Sequence, residues 1–457
     1  MSLVLAVALL AAVLAAATLR PFGLPEAVVA VPAAAIAVLA GLVTPAGAWG
    51  EVAELAPTIG FLAAILLLGH LADAEGVFRW LGALLGSASA GSPRRLLVLV
   101  FAAAAGTTAV LSLDATVVLL TPVVLATAAR LRLPARPHSY ACAHLSNSAS
   151  GLLPVSNLTN LLAFSASGLS FLGFAGLMAA PWVAVIVVEF LVLRWFFARE
   201  LRGSAVGSGG RDGRTQVAAD RSAEATSRAD RGADSESDAT LAADDARGLD
   251  AGTATGTPAP RFALTVLALT LVGFGASSAL GIGPGWIAAA GAAVLAVRAL
   301  ARRETGPLRL VAAASPGFCL FVAALGVVVA GLSGQGLAGW LGALLPDTPD
   351  LAGLLLTAAI AAVLANLVNN LPATLVLLTA LGPSPAAGLV LAVLLGVNIG
   401  PNLTYAGSLA TLLWRRIATG HGEPPRLGTF VGLGVLTVPL GLVAATVALW
   451  AGLALAA

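Results

Sequence analysis

Two pairs of polar interruptions, one pair in each half of an otherwise apolar chain, limit the folds open to this sequence more than any other feature. The first half contains SLDATVVLLT at residues 112–121, and the second half contains NLPATLVLLT at residues 370–379. A further interruption follows each of them, PVSNLTN at residues 154–160 and NIGPNLTYAGS at residues 398–408. Repeated halves with paired broken helices are typical of secondary transporters, whose substrates bind near the middle of the bilayer.

The overall composition excludes a soluble protein. Hydrophobic residues make up 59% of the chain and charged residues only 10%. Several apolar segments approach the ~20 residues that a helix needs to cross the hydrocarbon layer. We therefore expect an all-α membrane protein, an inverted-repeat secondary transporter with about ten transmembrane helices and two re-entrant hairpins, because irregular backbone at membrane depth must be enclosed by protein.

The basic and sulfur-containing residues exclude several functions. The chain has 24 basic residues, all of them arginine, and a nucleotide-binding P-loop needs a lysine. Energy must therefore come from an ion gradient or from a separate ATPase. The only cysteines, Cys142 and Cys319, are too few for a disulfide framework or a thiolate metal site. No nucleophile, base and orienting residue occur together at a known catalytic spacing, so we expect no enzyme activity, catalytic residue, metal or cofactor.

A polar segment separates the two apolar halves. Residues 203–260 contain ten acids and six arginines, a composition that cannot bury enough apolar surface to fold alone. We expect a disordered cytoplasmic linker there, between a first membrane repeat at residues 1–202 and a second at residues 261–457. The predicted hairpins lie at residues 95–129 and 351–381, and the predicted broken helices at residues 141–170 and 386–413.

The distribution of arginine predicts how the chain crosses the membrane. Each half has an odd number of predicted crossings, so the second repeat is inverted relative to the first. Cytoplasmic loops collect arginine, and an outer amino terminus puts every arginine on the cytoplasmic side. The outer loops then receive Glu51, Glu54, Asp347 and Asp350. An arrangement with both termini inside remains an alternative.

Four motifs carry a resemblance to a known family. They are LSLDATVVLLTP (111–122), LPVSNLTNLL (153–162), NLVNNLPAT (366–374) and GVNIGPNLTYAGSLATLLW (396–414). They resemble the ArsB arsenical pump family of arsenite/antimonite efflux permeases, within the ion transporter superfamily, over nearly the whole chain outside the linker. The resemblance implies export of arsenite and antimonite across the bacterial cytoplasmic (inner) membrane, coupled to inward proton flow. In some members it implies a soluble ATPase subunit.

Asp114 is the candidate proton carrier. It is the carboxylate that we place in the middle of the first hairpin, where an ionisable group is costly unless it pairs or titrates. An acid at that position can take up and release a proton as the site changes sides. The alternative is that Asp114 only caps the helix that follows it.

Hydroxyl and amide side chains gather at the four interruptions. They both donate and accept hydrogen bonds, which suits a neutral polyhydroxyl solute such as arsenous acid, As(OH)3. Each could instead cap a helix or bond between helices. The expected substrate-binding residues are Ser112, Thr116, Ser156, Asn157, Thr159, Asn160, Asn369, Asn370, Thr374, Asn402, Thr404 and Ser408. The expected helix-breaking residues are Pro154, Pro372, Pro401 and Gly407, because proline lacks a backbone donor and glycine permits unusual dihedral angles.

Other assignments remain open at this point. One alternative is a sodium-coupled anion carrier or a sodium/proton antiporter of the same fold, and another is the membrane subunit of an ATPase-driven arsenical pump. The expected partners are arsenous or antimonous acid, protons and membrane lipid, with a soluble ATPase subunit or a homodimer as further alternatives, and no nucleic acid. His144 and Glu189 are expected to be structural, with a proton relay as the alternative for His144 and a role in coupling as the alternative for Glu189.

Overall fold

Nine helices among the described residues are long and apolar enough to cross a membrane. The computed structural model describes residues 2–19, 25–202, 258–332, 334 and 338–456. The linker predicted for residues 203–260 lies outside the described residues, apart from its last three. All secondary structure in the described part of the chain is helical. The chain is therefore an all-α, multi-pass membrane protein.

In the first half, each of the two polar interruptions lies between the end of one helix and the start of the next. Their bounds are α1 Ser2–Leu19, α2 Ala27–Leu39, α3 Pro45–Ala74, α4 Val77–Ser89, α5 Pro93–Val110, α6 Leu113–Arg130, α7 Ala135–Ser148, α8 Leu158–Ser167 and α9 Phe171–Phe196. The first interruption separates α5 from α6. The second consists of two short 3₁₀ turns, Ala149–Leu152 and Pro154–Ser156, between α7 and α8.

The second half follows the same order. Its helices are α10 Arg261–Leu280, α11 Pro284–Ala301, α12 Pro307–Ala313, α13 Pro316–Leu332, α14 Ala338–Gly342, α15 Leu351–Val368, α16 Asn370–Ala380, α17 Ala387–Ile399, α18 Leu409–Gly420 and α19 Leu427–Ala456. One interruption lies between α15 and α16. The other consists of two 3₁₀ turns, Gly400–Leu403 and Tyr405–Gly407, between α17 and α18.

Local sequence signals account for several helix starts. Ser92 precedes α5 and its Oγ accepts a hydrogen bond from the Arg95 N–H at 3.4 Å, while Pro93 occupies the first turn, where no donor is needed. Asp350 caps α15 in the same way, accepting from the Gly353 N–H at 2.7 Å. Such caps satisfy backbone groups that would otherwise lack partners at helix ends.

Helix packing joins the two halves. Helix α9 packs along α19, and α3 packs against both α11 and α13. Large apolar side chains, including Leu172, Val272 and Leu367, point outward and are at least 60% exposed. Apolar surface of this kind is typical of a protein whose outer face contacts lipid rather than water.

The two broken helices have the same backbone geometry. In each, an extended residue separates the two 3₁₀ turns, Leu153 with φ −118° and ψ 147° in the first half and Thr404 with φ −135° and ψ 156° in the second. An extended N-cap residue then starts the next helix, Asn157 with φ −156° and Ser408 with φ −147°. The two halves therefore repeat one local conformation at equivalent places.

Candidate functional site

A small cavity lies where the interruptions of the two halves meet. Its volume is about 70 Å³, enough for a solute of a few heavy atoms, since one water occupies about 30 Å³ of liquid. Apolar side chains such as Phe61, Phe318 and Phe321 form much of its wall. The predicted site residues that line it are Ser112, Asp114, Ser156, Asn157, Thr159, Asn369, Asn370, Pro372 and Ser408.

The two hairpin tips reach this cavity with different backbones. Ser112 is extended, with φ −178°, and its Oγ accepts a hydrogen bond from the Ala115 N–H at 3.1 Å. Asn369 has φ 73° and ψ 158° and makes no side-chain cap for α16, a conformation that L-residues other than glycine rarely adopt. Its side-chain amide instead donates to the Ala406 carbonyl at 3.3 Å, which ties this tip to the broken helix of the same half.

Three predicted hydroxyl ligands lie outside the cavity lining and bond within the protein instead. The Thr116 hydroxyl is buried and 2.7 Å from the Thr108 hydroxyl. The Thr374 hydroxyl donates to the Asn370 carbonyl at 2.7 Å, and the Thr404 hydroxyl donates to the Asn366 Oδ1 at 2.8 Å. These contacts hold the tips in place, since a buried hydroxyl is costly without a partner.

Two predicted amide ligands, Asn160 and Asn402, also do not line the cavity. The Asn160 amide donates to the Leu153 carbonyl at 2.8 Å and so fixes the break in the first half. The Asn402 amide donates to the His144 carbonyl at 3.0 Å and to the Glu189 Oε1 at 3.1 Å. Asn402 therefore belongs to a separate buried cluster.

Asn398 is a cavity-supporting residue that we did not predict from the sequence. Its Oδ1 accepts from the Asn157 amide at 3.2 Å and from the Thr159 hydroxyl at 3.0 Å, and its amide donates to the Asn160 Oδ1 at 2.8 Å. It thus joins the second half to three polar residues of the first. A lone asparagine in the apolar helix α17 was the signal that could have identified it.

Helix α6 is widened directly after the first tip. Residues Thr116–Leu120 form a π turn, and the Thr121 hydroxyl donates to the Thr116 carbonyl at 3.0 Å. Pro122 has no N–H for the usual bond to the residue four positions earlier, which loosens the helix here. Such widened turns are frequent at functional sites.

The helix-breaking residues lie at or next to the interruptions. Pro154 and Pro401 lie in the 3₁₀ turns, and Pro372 lies in the first turn of α16. Gly407 ends the last 3₁₀ turn, and a Cβ added there would come within 2.6 Å of the Pro401 Cα. Glycine is therefore required for the close approach of these two turns.

Asp114 is the one ionisable residue that lines the small cavity within the described part of the chain. It is partly exposed and lies in the first turn of α6, where the helix dipole favours a negative charge. Its carboxylate makes no hydrogen bond or ion pair with any described residue. It is therefore free to bind a proton or a solute.

A wider cavity adjoins the small one. Its volume is about 570 Å³, and both cavities share Asp114, Leu66 and Phe318 in their linings. The wider cavity is also lined by Arg416, whose side chain is exposed, so it reaches the surface. This opening lies on the side that the arginine distribution predicts to be cytoplasmic.

The chemistry of the lining suits a small hydroxylated solute. Hydroxyls and amides supply donors and acceptors on both sides of the cavity, and Asp114 supplies one proton-binding group. No arginine or histidine lines the small cavity among the described residues. Nor do three His, Cys, Asp or Glu side chains of the described residues come together in a way that could hold a metal ion.

Sequence comparisons relate the chain to membrane transporters. A family model described as CitMHS, citrate transporter, matches residues 4–397. An arsenical pump membrane protein of Escherichia coli is 26% identical over 390 residues, 82% of each chain, and that of Escherichia coli strain K12 is 26% identical over 437 residues, 92% of each chain. The silicon efflux transporter LSI3 of Oryza sativa subsp. japonica is 34% identical over 149 residues, 33% of this chain and 30% of the relative.

The fold also has a relative among solved structures. The YdaH transporter of Alcanivorax borkumensis, described as having an unusual topology, matches with a TM-score of 0.51 and 18% sequence identity. The match covers 90% of this chain and 88% of the YdaH chain. At this level of identity the similarity concerns the fold alone.

Proposed function

The chain belongs to the CitMHS citrate transporter family, and we propose that it exports arsenite and antimonite from the bacterial cytoplasm in exchange for protons. The family is one of membrane transporters, and two relatives that match 82% and 92% of the chain are named arsenical pump membrane proteins. Their name supports an arsenical as the transported solute. The cavity supports the uncharged form of that solute.

The observation that carries the proposal is the charge of the small cavity. Its lining has hydroxyls, amides and one carboxylate, with no basic side chain in the described residues. A citrate anion would meet Asp114 without a cation to balance it, and bringing like charges together in a place of low polarity is unfavourable. Arsenous and antimonous acids are uncharged near neutral pH. They can exchange hydrogen bonds with Ser112, Asn157 and Asn370 at no such cost.

The position of Asp114 supports the coupling step. Asp114 lines both the small cavity and the wider cavity that reaches the surface. When it is ionised it can accept hydrogen bonds from the hydroxyls of the solute, and when it is protonated it loses part of that accepting capacity. Solute and proton therefore compete for one group, which is the requirement for exchange of one against the other.

The test is arsenite uptake into everted membrane vesicles, in which export appears as accumulation. The wild-type protein is expected to accumulate arsenite when respiration acidifies the vesicle interior, and a protonophore is expected to abolish the accumulation. Asp114→Asn keeps the size of the side chain but removes its charge, so it is expected to reduce accumulation to background while the protein inserts at normal levels.

A matched control is Glu51→Gln, because Glu51 is an acid of the membrane helix α3 that lines neither cavity. It is expected to accumulate arsenite like the wild type. Accumulation that depends on a sodium gradient and not on pH would replace proton coupling with sodium coupling. Citrate accumulation in place of arsenite would overturn the choice of solute, and full uptake by Asp114→Asn would remove Asp114 from the coupling step.

A further inference from the structure

A second acid is buried deep in the protein, away from both cavities. Glu189 lies on α9 and is paired with His144 on α7, with 3.0 Å between the Glu189 Oε2 and the His144 Nδ1. The side chains of both residues are 0% exposed. Neither residue lines the small or the wide cavity, so the proposed transport step does not use them.

Neighbouring polar groups form hydrogen bonds with most of the polar atoms of the Glu189 and His144 side chains. The Glu189 Oε1 accepts from the Asn402 amide at 3.1 Å, and that amide also donates to the His144 carbonyl at 3.0 Å. The Thr437 hydroxyl lies 3.5 Å from the His144 Nδ1. The His144 Nε2 is buried and has no hydrogen-bond partner among the described residues. The His144 ring packs beside Phe430, with 5.3 Å between ring centroids.

The charge of the pair depends on one proton. A carboxylate beside a neutral imidazole leaves a net charge of −1 in a site with no access to water, which is costly. One proton added to the imidazole ring makes the pair neutral, because the imidazolium then faces the carboxylate. The pair is therefore neutral when it holds this proton and carries a buried, unbalanced charge when it does not.

No fixed positive charge replaces that proton. The arginines on the packed helices α5, α7, α9 and α18 lie toward the surface, where Arg94, Arg95, Arg194, Arg415 and Arg416 are exposed and Arg136 pairs with Glu200 at 3.2 Å. Helices α17 and α19 contain no ionisable side chain. The remaining titratable groups on the surrounding elements, including α6, are Asp114, Arg130, His138, Tyr140, Cys142 and Tyr405. None of them forms a hydrogen bond or an ion pair with His144 or Glu189.

We infer that the His144–Glu189 pair is a second proton-binding site, which binds and releases one proton during the transport cycle. The inference rests on the proposed proton-coupled function. Asn402 connects the pair to the 3₁₀ turn Gly400–Leu403, because one amide bonds both to Glu189 and to the backbone of His144. That turn leads to Ser408, which lines the small cavity. Loss of the proton leaves a buried charge, which favours a movement of this turn that brings water to the pair.

Hydrogen bonding alone does not require an acid at position 189. A glutamine would offer the same oxygen to Asn402, and a buried ion pair is in general weak evidence for a gain in stability. The charge of Glu189, rather than its hydrogen bonds, is therefore the property to test.

The direct test is nitrogen NMR of the purified protein in lipid nanodiscs, with only histidine labelled by ¹⁵N. The chain has four histidines, so the signal lost in His144→Gln identifies His144. We expect the ring nitrogens of His144 to report gain of a proton when the pH is lowered, because that proton neutralises the buried pair. In Glu189→Gln the ring is expected to stay neutral over the same change in pH, because a charge on the ring would then be unbalanced.

Two controls separate this result from a general loss of structure. Glu51→Gln is expected to leave the His144 signals and their pH dependence unchanged, and Glu189→Asp is expected to keep the titration because the acid is retained. His144 signals that do not change with pH in the wild type would overturn the inference. A titration in Glu189→Gln that matches the wild type would also overturn it.

Transport gives a second readout. Glu189→Gln is expected to exchange arsenite across the vesicle membrane when no proton gradient is present. Its proton-driven accumulation of arsenite is expected to fall by at least about tenfold, the decrease that about 1.4 kcal/mol of lost coupling free energy would produce. Accumulation at the wild-type level would contradict the inference. If the wild type moved no arsenite, the proposed function would fail, whereas the titration of His144 would still decide whether the pair binds a proton.

Discussion

The two hairpin tips that face each other across the cavity share a sequence pattern but differ in chemistry. Where the first tip reads Ser112-Leu113-Asp114, the second reads Asn370-Leu371-Pro372. The first supplies the acid on an extended, capped turn, while the second supplies amides on a turn that begins with positive φ at Asn369. The two tips therefore differ in what they present to the cavity: the first presents a carboxylate, and the second presents neutral amides.

Unlike the hairpin tips, the broken helices of the two halves have the same backbone geometry and closely similar contacts. Asn147 of α7 donates to the Thr411 hydroxyl at 3.1 Å, and Asn398 of α17 donates to the Asn160 Oδ1 at 2.8 Å. Each bond crosses from one half to the other at matching positions of the two breaks. The asparagines that bond across the two breaks are thus repeated between the halves. The charged side chain in the cavity, Asp114, is not repeated.

The largest expected effect on stability is at these two asparagines, Asn147 and Asn398. Asn398→Ala removes the partner of Asn157, Thr159 and Asn160, and each buried polar group left unpaired costs about 1–3 kcal/mol. We expect a loss of about 3 kcal/mol in the free energy of unfolding, measured by denaturation in detergent, together with loss of arsenite transport. Asn147→Ala is expected to cost about half as much, since the Asn147 Oδ1 has no partner in the described part of the chain. Equal losses for the two variants would contradict this difference.

A smaller effect is expected at the start of the second tip. Asn369→Ala keeps the positive φ but loses the side-chain bond to Ala406, and alanine tolerates that conformation poorly, so we expect a loss of about 1–2 kcal/mol. Asn369→Gly removes the same bond but accommodates the backbone, and it is expected to be more stable than the alanine variant. Thermal unfolding of the two proteins side by side gives the comparison. An alanine variant as stable as the glycine variant would show that the tip is not held in this conformation.

The sequence predicted where the helices break because the signals for a break are local. Proline, asparagine and serine in an apolar chain indicate where a helix cannot continue, and the structure has breaks after Val110, Ser148, Val368 and Ile399. The same signals do not show which polar side chains face the cavity. Thr116 and Thr374 have hydroxyls that could bind a solute, yet these hydroxyls form hydrogen bonds with other groups of the protein.

The contacts that could not be predicted depend on pairs far apart in sequence. Asn398 meets residues 157–160 only because the two halves pack together, and Asn402 meets His144 for the same reason. His144 meets Glu189 because α7 and α9 of the first half pack against each other. Glu189 looked like a packing residue because its span is otherwise apolar. Its partners follow from the tertiary structure.

Proton movement driven by solute in proteoliposomes tests the central claim most directly, because it measures both exchanged species at once. Purified protein is reconstituted with arsenite inside, and the membrane voltage is held at zero with potassium and valinomycin. An internal dye reports pH, and the arsenite released to the outside is measured in parallel. As arsenite leaves, the wild-type protein is expected to acidify the interior, Asp114→Asn is expected to cause no acidification, and internal citrate is expected to cause none with either protein. Arsenite efflux by the wild type without any change in internal pH would contradict the account.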